Sequence, residues 1–172
     1  MAQQQFSIEN AAKRIRAGEQ PAAALGLSET QVKAMAALGY TVFQQGRFKD
    51  AEVLFRGVVA LDNNYYLGYA GLGAIAMATE PPDLDAANTN LSRAAQLNPN
   101  DATVQANLGE VLLKQGKLDE AKAHLEKAFQ LDPGRNDPGA NRARAIVVGL
   151  DMIMKEVQKR SDSQSVQRAK AS

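Results

Sequence analysis

The sequence predicts an all-α fold: an α-α superhelix of three helical hairpins, preceded by an N-terminal helical segment and closed by a C-terminal capping helix. Three observations predict it. Residues 102–133, ATVQANLGEVLLKQGKLDEAKAHLEKAFQLDP, carry two apolar helical periods joined at Gly116, and the same arrangement recurs twice upstream. Small residues and stops fall at matching offsets, in this copy Leu108-Gly109, Gly116, Ala121, Leu125, Ala128 and Pro133. Ala and Leu are prominent and aromatics make up only 5% of the chain, which suits packed helices better than a sheet.

The order L-G…G…A…[LF]…A…P is the tetratricopeptide signature, from which this copy departs by lacking the early Trp. Each small residue has a physical task. Gly109 and Ala121 leave room where the two helices of a pair cross, and Ala128 does so against the next pair. Pro133 stops the second helix, because its ring cannot continue the hydrogen-bond ladder. The three repeats span about residues 29–64, 65–100 and 101–134, between an N-terminal segment (1–28) and a capping helix (135–160).

In chain order, residues 1–5 are polar and expected to fray. Ser7 is placed to N-cap a short helix ending near Gly18, with Ile8, Ala11, Ala12 and Ile15 on one face. Gln20-Pro21 starts another short turn closed by Gly26. This segment is either a cap over the first repeat or a dimerisation arm, because short amphipathic helices need a surface to pack on. Ser28-Glu29-Thr30-Gln31 is a capping box opening the first repeat, whose helices are expected over 29–45 and 48–61. Leu38-Gly39, Gly46, Ala51 and Phe55 occupy the signature offsets, with Val58 where Ala is usual and Asn63 where Pro is usual. The second repeat aligns through Leu72-Gly73, Ala87, Leu91, Ala94 and Pro99. Its turn, residues 78–83, is longer and holds Pro81-Pro82, which demands an extended elbow. Asp137-Pro138 is an N-cap with N1 proline, opening a long helix to about Arg160. Ile146, Leu150, Ile153, Met154 and Val157 form its stripe, expected to cover the last repeat. Asp151 and Glu156 interrupt the positive charges around that stripe, which argues against a membrane-surface helix. Residues 161–172 show no apolar period and are expected to be disordered.

Lys plus Arg number 20 against 19 Asp plus Glu, so there is no global basic field for nucleic acid. No apolar run is long enough to span a bilayer, so no stable membrane insertion is expected. The first ten residues lack a basic stretch followed by an apolar core, so no secretory leader is expected. The absence of cysteine fits a reducing, cytoplasmic setting and leaves no thiolate metal site. The one histidine, His124, has no second imidazole or thiol in the sequence to share a metal, and its helix position is expected to face outward. GLGA at residues 71–74 lies mid-helix and is not a phosphate loop. Asp119-Glu120, and Asp83 with Asp85, begin second helices, where they complement the helix dipole. No nucleophile motif appears. Neither an enzyme nor a cofactor or metal is expected.

Binding remains. The first helix of each hairpin lines the concave side of such an array. By repeat offset the lining residues are Lys33, Ala36, Tyr40, Phe43 and Gln44, then Leu67, Ala70, Ala74, Met77 and Ala78, then Thr103, Ala106, Asn107, Glu110, Leu113 and Lys114. Tyr40, Phe43, Leu67 and Met77 are poor choices for a surface that stays wet, and exposed apolar patches mark partners. Asn107 can donate to and accept from a peptide backbone, which suits an extended ligand.

Leu25-Gly26-Leu27-Ser28, Leu38-Gly39-Tyr40, Gln45-Gly46-Arg47-Phe48, Asp50-Ala51, Leu54-Phe55-Arg56 and Gly71-Leu72-Gly73-Ala74 together resemble the class II chaperones of bacterial type III secretion systems, over residues 7–133. That resemblance implies a cytosolic chaperone. It would keep hydrophobic translocators soluble before export by binding an extended segment of each in its groove, and it could form a homodimer through its N-terminal segment. Tyr40 and Phe43 match aromatic groove positions of the family. Ala36 departs from it, since an aromatic is common there, and so do the Glu80-Pro81-Pro82 elbow and the long C-terminal helix. The third repeat is closer to the tetratricopeptide consensus. A generic repeat adaptor that scaffolds a multiprotein complex is the alternative.

Overall fold

The computed structural model describes residues 7–170 of the backbone, and side-chain surroundings as far as Ser163. Residues 1–5, expected to fray, lie outside the described residues. The chain divides into two compact units, Met1–Pro99 and Asn100–Ser172.

In the first unit α1 (Ile8–Arg16) and α2 (Pro21–Ala24) precede two hairpins, α3 (Glu29–Gln44) with α4 (Phe48–Leu61) and α5 (Tyr66–Ala78) with α6 (Leu84–Leu97). Of the expected apolar face of α1, only Ala11 is buried, and Ile8 remains 76% exposed. Arg14 ties α1 to α2: its guanidinium pairs with Glu19 and donates to the carbonyls of Ala23 and Ala24, at the end of α2 where carbonyls lack helical partners. The capping box forms as predicted, with Gln31 N–H donating to Ser28 Oγ (3.3 Å) and Ser28 N–H to Gln31 Oε1 (2.8 Å). At the α3–α4 turn Gly46 takes φ +75°, a left-handed conformation that side chains disfavour. The elbow between α5 and α6 is closed at both ends. Asp83 N–H donates back to Ala76 O (2.9 Å), while Asp83 Oδ1 accepts from Ala86 N–H (2.9 Å) and caps α6. Pro81 and Pro82 stand exposed between these bonds.

Two clusters contribute to the core of this unit, beside the buried Ala87, Leu91 and Ala94 of α6. Ala22, Val32, Ala36 and Val58 make one, with Leu27, Met35, Leu61, Tyr65 and Leu67 around it. Val42, Ala51, Phe55 and Ile75 make the other, flanked by Phe43, Phe48, Leu54 and Leu72.

The second unit holds α7 (Ala102–Lys114), α8 (Leu118–Gln130) and α9 (Pro138–Lys170). Gly116 repeats the left-handed turn of Gly46, at φ +77°. Ala106, Leu125, Ala128, Ala143 and Val147 form one cluster of its core, so α9 packs on both helices of the hairpin. Asp137 caps α9 through Oδ1 to Ala140 N–H (2.7 Å). Arg144 donates to the carbonyls of Phe129 and Asp132 and lies over the Phe129 ring, closing the end of α8. Lys122 pairs with Asp151 at 2.8 Å, further along α9.

Two expectations about α9 are corrected. The helix does not end near Arg160 but continues to Lys170, so the tail expected to be disordered is helical over 161–170. Arg160 pairs with Glu156, Gln158 donates to Asp162, and Ser163 donates to Lys159 O, all at i,i+4 spacing. No Gly or Pro falls within residues 156–170, and such pairs support a helix beyond the point where its apolar stripe ends. The stripe itself is covered only in part. Ile146 and Leu150 are half-buried, whereas Ile153, Met154 and Val157 are 63%, 52% and 61% exposed. No helix among the described residues is long and apolar enough to cross a membrane.

Candidate functional site

In the first unit the candidate face lies on α3 and α5. Tyr40 is 58% exposed and Gln44 is exposed. Phe43 is half-buried, its ring 5.4 Å from that of Phe48 at the start of α4, so it serves the core as well as the surface. Leu67, Ala70, Ala74 and Met77 on α5 are half-buried, and Leu67 leans on the cluster around Val58. Ala36 is different. It is 2% exposed, packed with Ala22, Val32 and Val58, and so does not line an open surface. Repeat offset gives the face of α3 that carries Ala36, but not that Ala22 of α2 joins the cluster enclosing it. Lys33 pairs with Glu29 at 2.5 Å, and that hydrogen bond raises its pKa.

In the second unit the candidates lie on α7. Asn107, Glu110 and Leu113 are half-buried and Lys114 is exposed. The structure brings a residue to them that the repeat pattern did not nominate. Arg142, in the second turn of α9, donates through Nη2 to Asn107 Oδ1 (2.9 Å) and through Nε to Glu110 Oε1 (3.1 Å). Thr103 donates to Asp137 Oδ2 (2.8 Å), and Ala106 is buried with Ala143 and Val147. The start of α9 therefore lies on part of the α7 face. Asp137-Pro138 signalled where α9 begins. Its crossing on α7, which decides that Arg142 meets Asn107, is set by tertiary packing.

His124 is half-buried rather than outward-facing, with Nδ1 2.7 Å from Oε1 of Gln105. Gln105 is itself 1% exposed, on α7. Burial lowers the His124 pKa, helped by nearby Lys127 and opposed by Glu120. Gly71 and Gly73 lie mid-helix in α5, where a Cβ would meet the Phe55 ring at 2.4 Å and Leu91 Cγ at 2.5 Å. They are packing residues.

The small-residue crossings of these hairpins, and the glycine turns at Gly46 and Gly116, are those of tetratricopeptide repeats, and a tetratricopeptide repeat model matches residues 82–146. Among curated proteins the chain is 30% identical over 100 residues to human DnaJ homolog subfamily C member 3, covering 58% of this chain and 19% of that protein. It thus spans about a fifth of that relative's length. The resemblance sharpens among solved structures. PcrH, from Pseudomonas aeruginosa, in complex with the chaperone-binding region of PopD, superposes with a TM-score of 0.64 at 26% identity. That match covers 75% of this chain and 97% of PcrH. The Yersinia enterocolitica type III secretion chaperone SycD, in complex with a peptide of the translocator YopD, superposes with a TM-score of 0.61 at 24% identity, covering 74% of this chain and 97% of SycD. The chain thus carries a tetratricopeptide-repeat match over residues 82–146 and resembles in fold the translocator chaperones of type III secretion.

Proposed function

We propose that this protein is a non-catalytic cytoplasmic chaperone that binds an extended segment of a hydrophobic secreted translocator and keeps it soluble before export. The observation that carries this reading is the exposed Tyr40, set on α3 of a hairpin pair whose α5 presents the half-buried Leu67, Ala70, Ala74 and Met77. The likeness to PcrH, solved with segments of PopB and of PopD, supports it. Docking an apolar segment there removes surface from water, which favours binding by roughly 25 cal/mol per Å². Ordering a disordered segment costs several kcal/mol, so affinity is moderate and the segment can be surrendered for export. Homodimerisation through the N-terminal segment belongs to the same reading, since Ile8 and Ile15 remain 76% and 37% exposed on α1.

The test is an affinity pull-down from native cytosol with wild type beside Tyr40→Asp, checked for unchanged helicity. Recovery of a secreted protein that aggregates when expressed alone, and its loss with the variant, supports the chaperone. Recovery of the same folded partners on both proteins would favour the adaptor and remove the α3–α5 face from its role.

A further inference from the structure

The amide of Asn107 has two unlike ends, and Arg142 selects between them. A guanidinium donates only, so the Asn107 atom that faces Nη2 is the carbonyl oxygen. Among the described residues the Nδ2 group of Asn107 then has no hydrogen-bond partner, though the residue is half-buried. Glu110 accepts from Nε of the same guanidinium, one turn along α7, so two contacts hold the plane of Arg142.

The start of α9 holds Arg142 in place. Asp137 bonds Thr103 with one carboxylate oxygen and caps α9 with the other. Gly139 sits so close to α7 that a Cβ would lie 3.0 Å from Thr103 Cα. Ala143, the residue after Arg142, is fully buried. Arg142 is nevertheless half-exposed, with a side-chain exposure of 51%, so it does not seal the surface around Asn107.

We propose that Arg142 is a positioning residue that turns the Asn107 amide with its NH₂ outward, making Asn107 a donor to an acceptor oxygen of the bound segment, a backbone carbonyl or a carboxylate. This narrows the dual donor–acceptor role the sequence allows Asn107. The identity of the segment rests on the chaperone reading; the amide orientation does not.

The experiment uses the full chain, labelled with nitrogen-15, and as probe a synthetic peptide of the PopD chaperone-binding region. In the free protein, the Asn107 side-chain NH₂ protons should show no cross-relaxation with the Arg142 guanidinium protons beyond what the carbonyl-facing geometry allows. In Arg142→Ala the amide should lose its fixed orientation. Asn107→Asp keeps size and the Arg142 contact but removes the donor, and should weaken peptide binding roughly tenfold. Arg142→Ala should weaken it a few-fold and Arg142→Lys should restore part of the loss, with the helix content unchanged throughout. Replacing acidic side chains of the peptide by their amides separates the sources: a lost dependence on Asn107 assigns a carboxylate, a retained one a backbone carbonyl. An NH₂ found against the guanidinium, or Asn107→Asp binding like wild type, overturns the proposal. Failure of the peptide to bind wild type counts against the chaperone reading, while the amide orientation in the free protein still decides the role of Arg142.

Discussion

Gly109 shows what one absent methyl does. A Cβ there would lie 2.6 Å from Leu125 Cγ and 3.1 Å from the backbone oxygen of Ala121, and Leu125 is fully buried. A leucine tip can shift, but the Ala121 backbone is held by α8. Gly109→Ala is therefore expected to destabilise by about 1–2 kcal/mol, overpacking outweighing the helix preference for Ala. Gly149 is the contrast, since it lies inside α9 with nothing within 4 Å of its would-be Cβ. Gly149→Ala should stabilise by about 0.5–1 kcal/mol, and urea unfolding of the two variants reads both signs in one assay. His124 gives a pH dependence. Burial holds its folded pKa below the ordinary value of 6.5, so the unfolded chain binds the proton first as pH falls. Stability from this residue is full above that ordinary value, declines as pH drops below it, and levels off beneath the folded pKa. Wild type should lose unfolding midpoint over that window relative to His124→Gln; equal midpoints at every pH would show that burial does not bias the imidazole. The signature glycines were legible because a period marks them. The burial of His124 was not, because it depends on Gln105 lying opposite on α7.

At the scale of the element, α9 is two structures in one helix. As far as Asp151 it is fastened to α7 and α8, by Ala140, Ala143 and Val147 in the core and by Asp137, Arg142, Arg144 and Asp151 in polar contacts. From Met152 to Ser163 every described side chain is exposed. A chain ending after Asp151 should therefore unfold within about 0.5 kcal/mol of wild type, as surface changes do, while losing helical signal. Val147→Ala, which opens space beside Leu125, should cost about 1–3 kcal/mol. A truncation that collapses the urea midpoint would mean the exposed stretch supports the hairpin. Where α9 starts was plain from Asp137-Pro138. Where it stops was not, because residues 161–170 carry no apolar period to mark a helix. The same distinction explains the stripe: periodicity places Ile153, Met154 and Val157 on one face but does not supply an element to cover them.

For the whole molecule, the repeat dictates more than any residue does. One offset pattern, read three times, placed the three hairpins and the glycine turns of the first and third, while Pro81-Pro82 marked the elbow of the second. It also named the helices that carry candidate binding residues, yet it could not say which of those residues a neighbouring helix encloses. Ala36 is enclosed with Ala22, Ala106 is enclosed with Ala143, and Asn107 is engaged by Arg142. What survives as open surface is mostly apolar or uncharged, on a chain whose 20 basic and 19 acidic residues nearly cancel. Under the chaperone reading, burial of apolar surface should therefore dominate binding, with charge a minor contributor. Calorimetric titration of the PopD segment at several temperatures should give a negative heat-capacity change. Its affinity should change by less than about tenfold between low and physiological salt, because few of the candidate binding residues carry a charge to be screened. A heat-capacity change near zero together with steep salt dependence would instead assign binding to the charged side chains, with Lys114 and Arg142 the first to substitute.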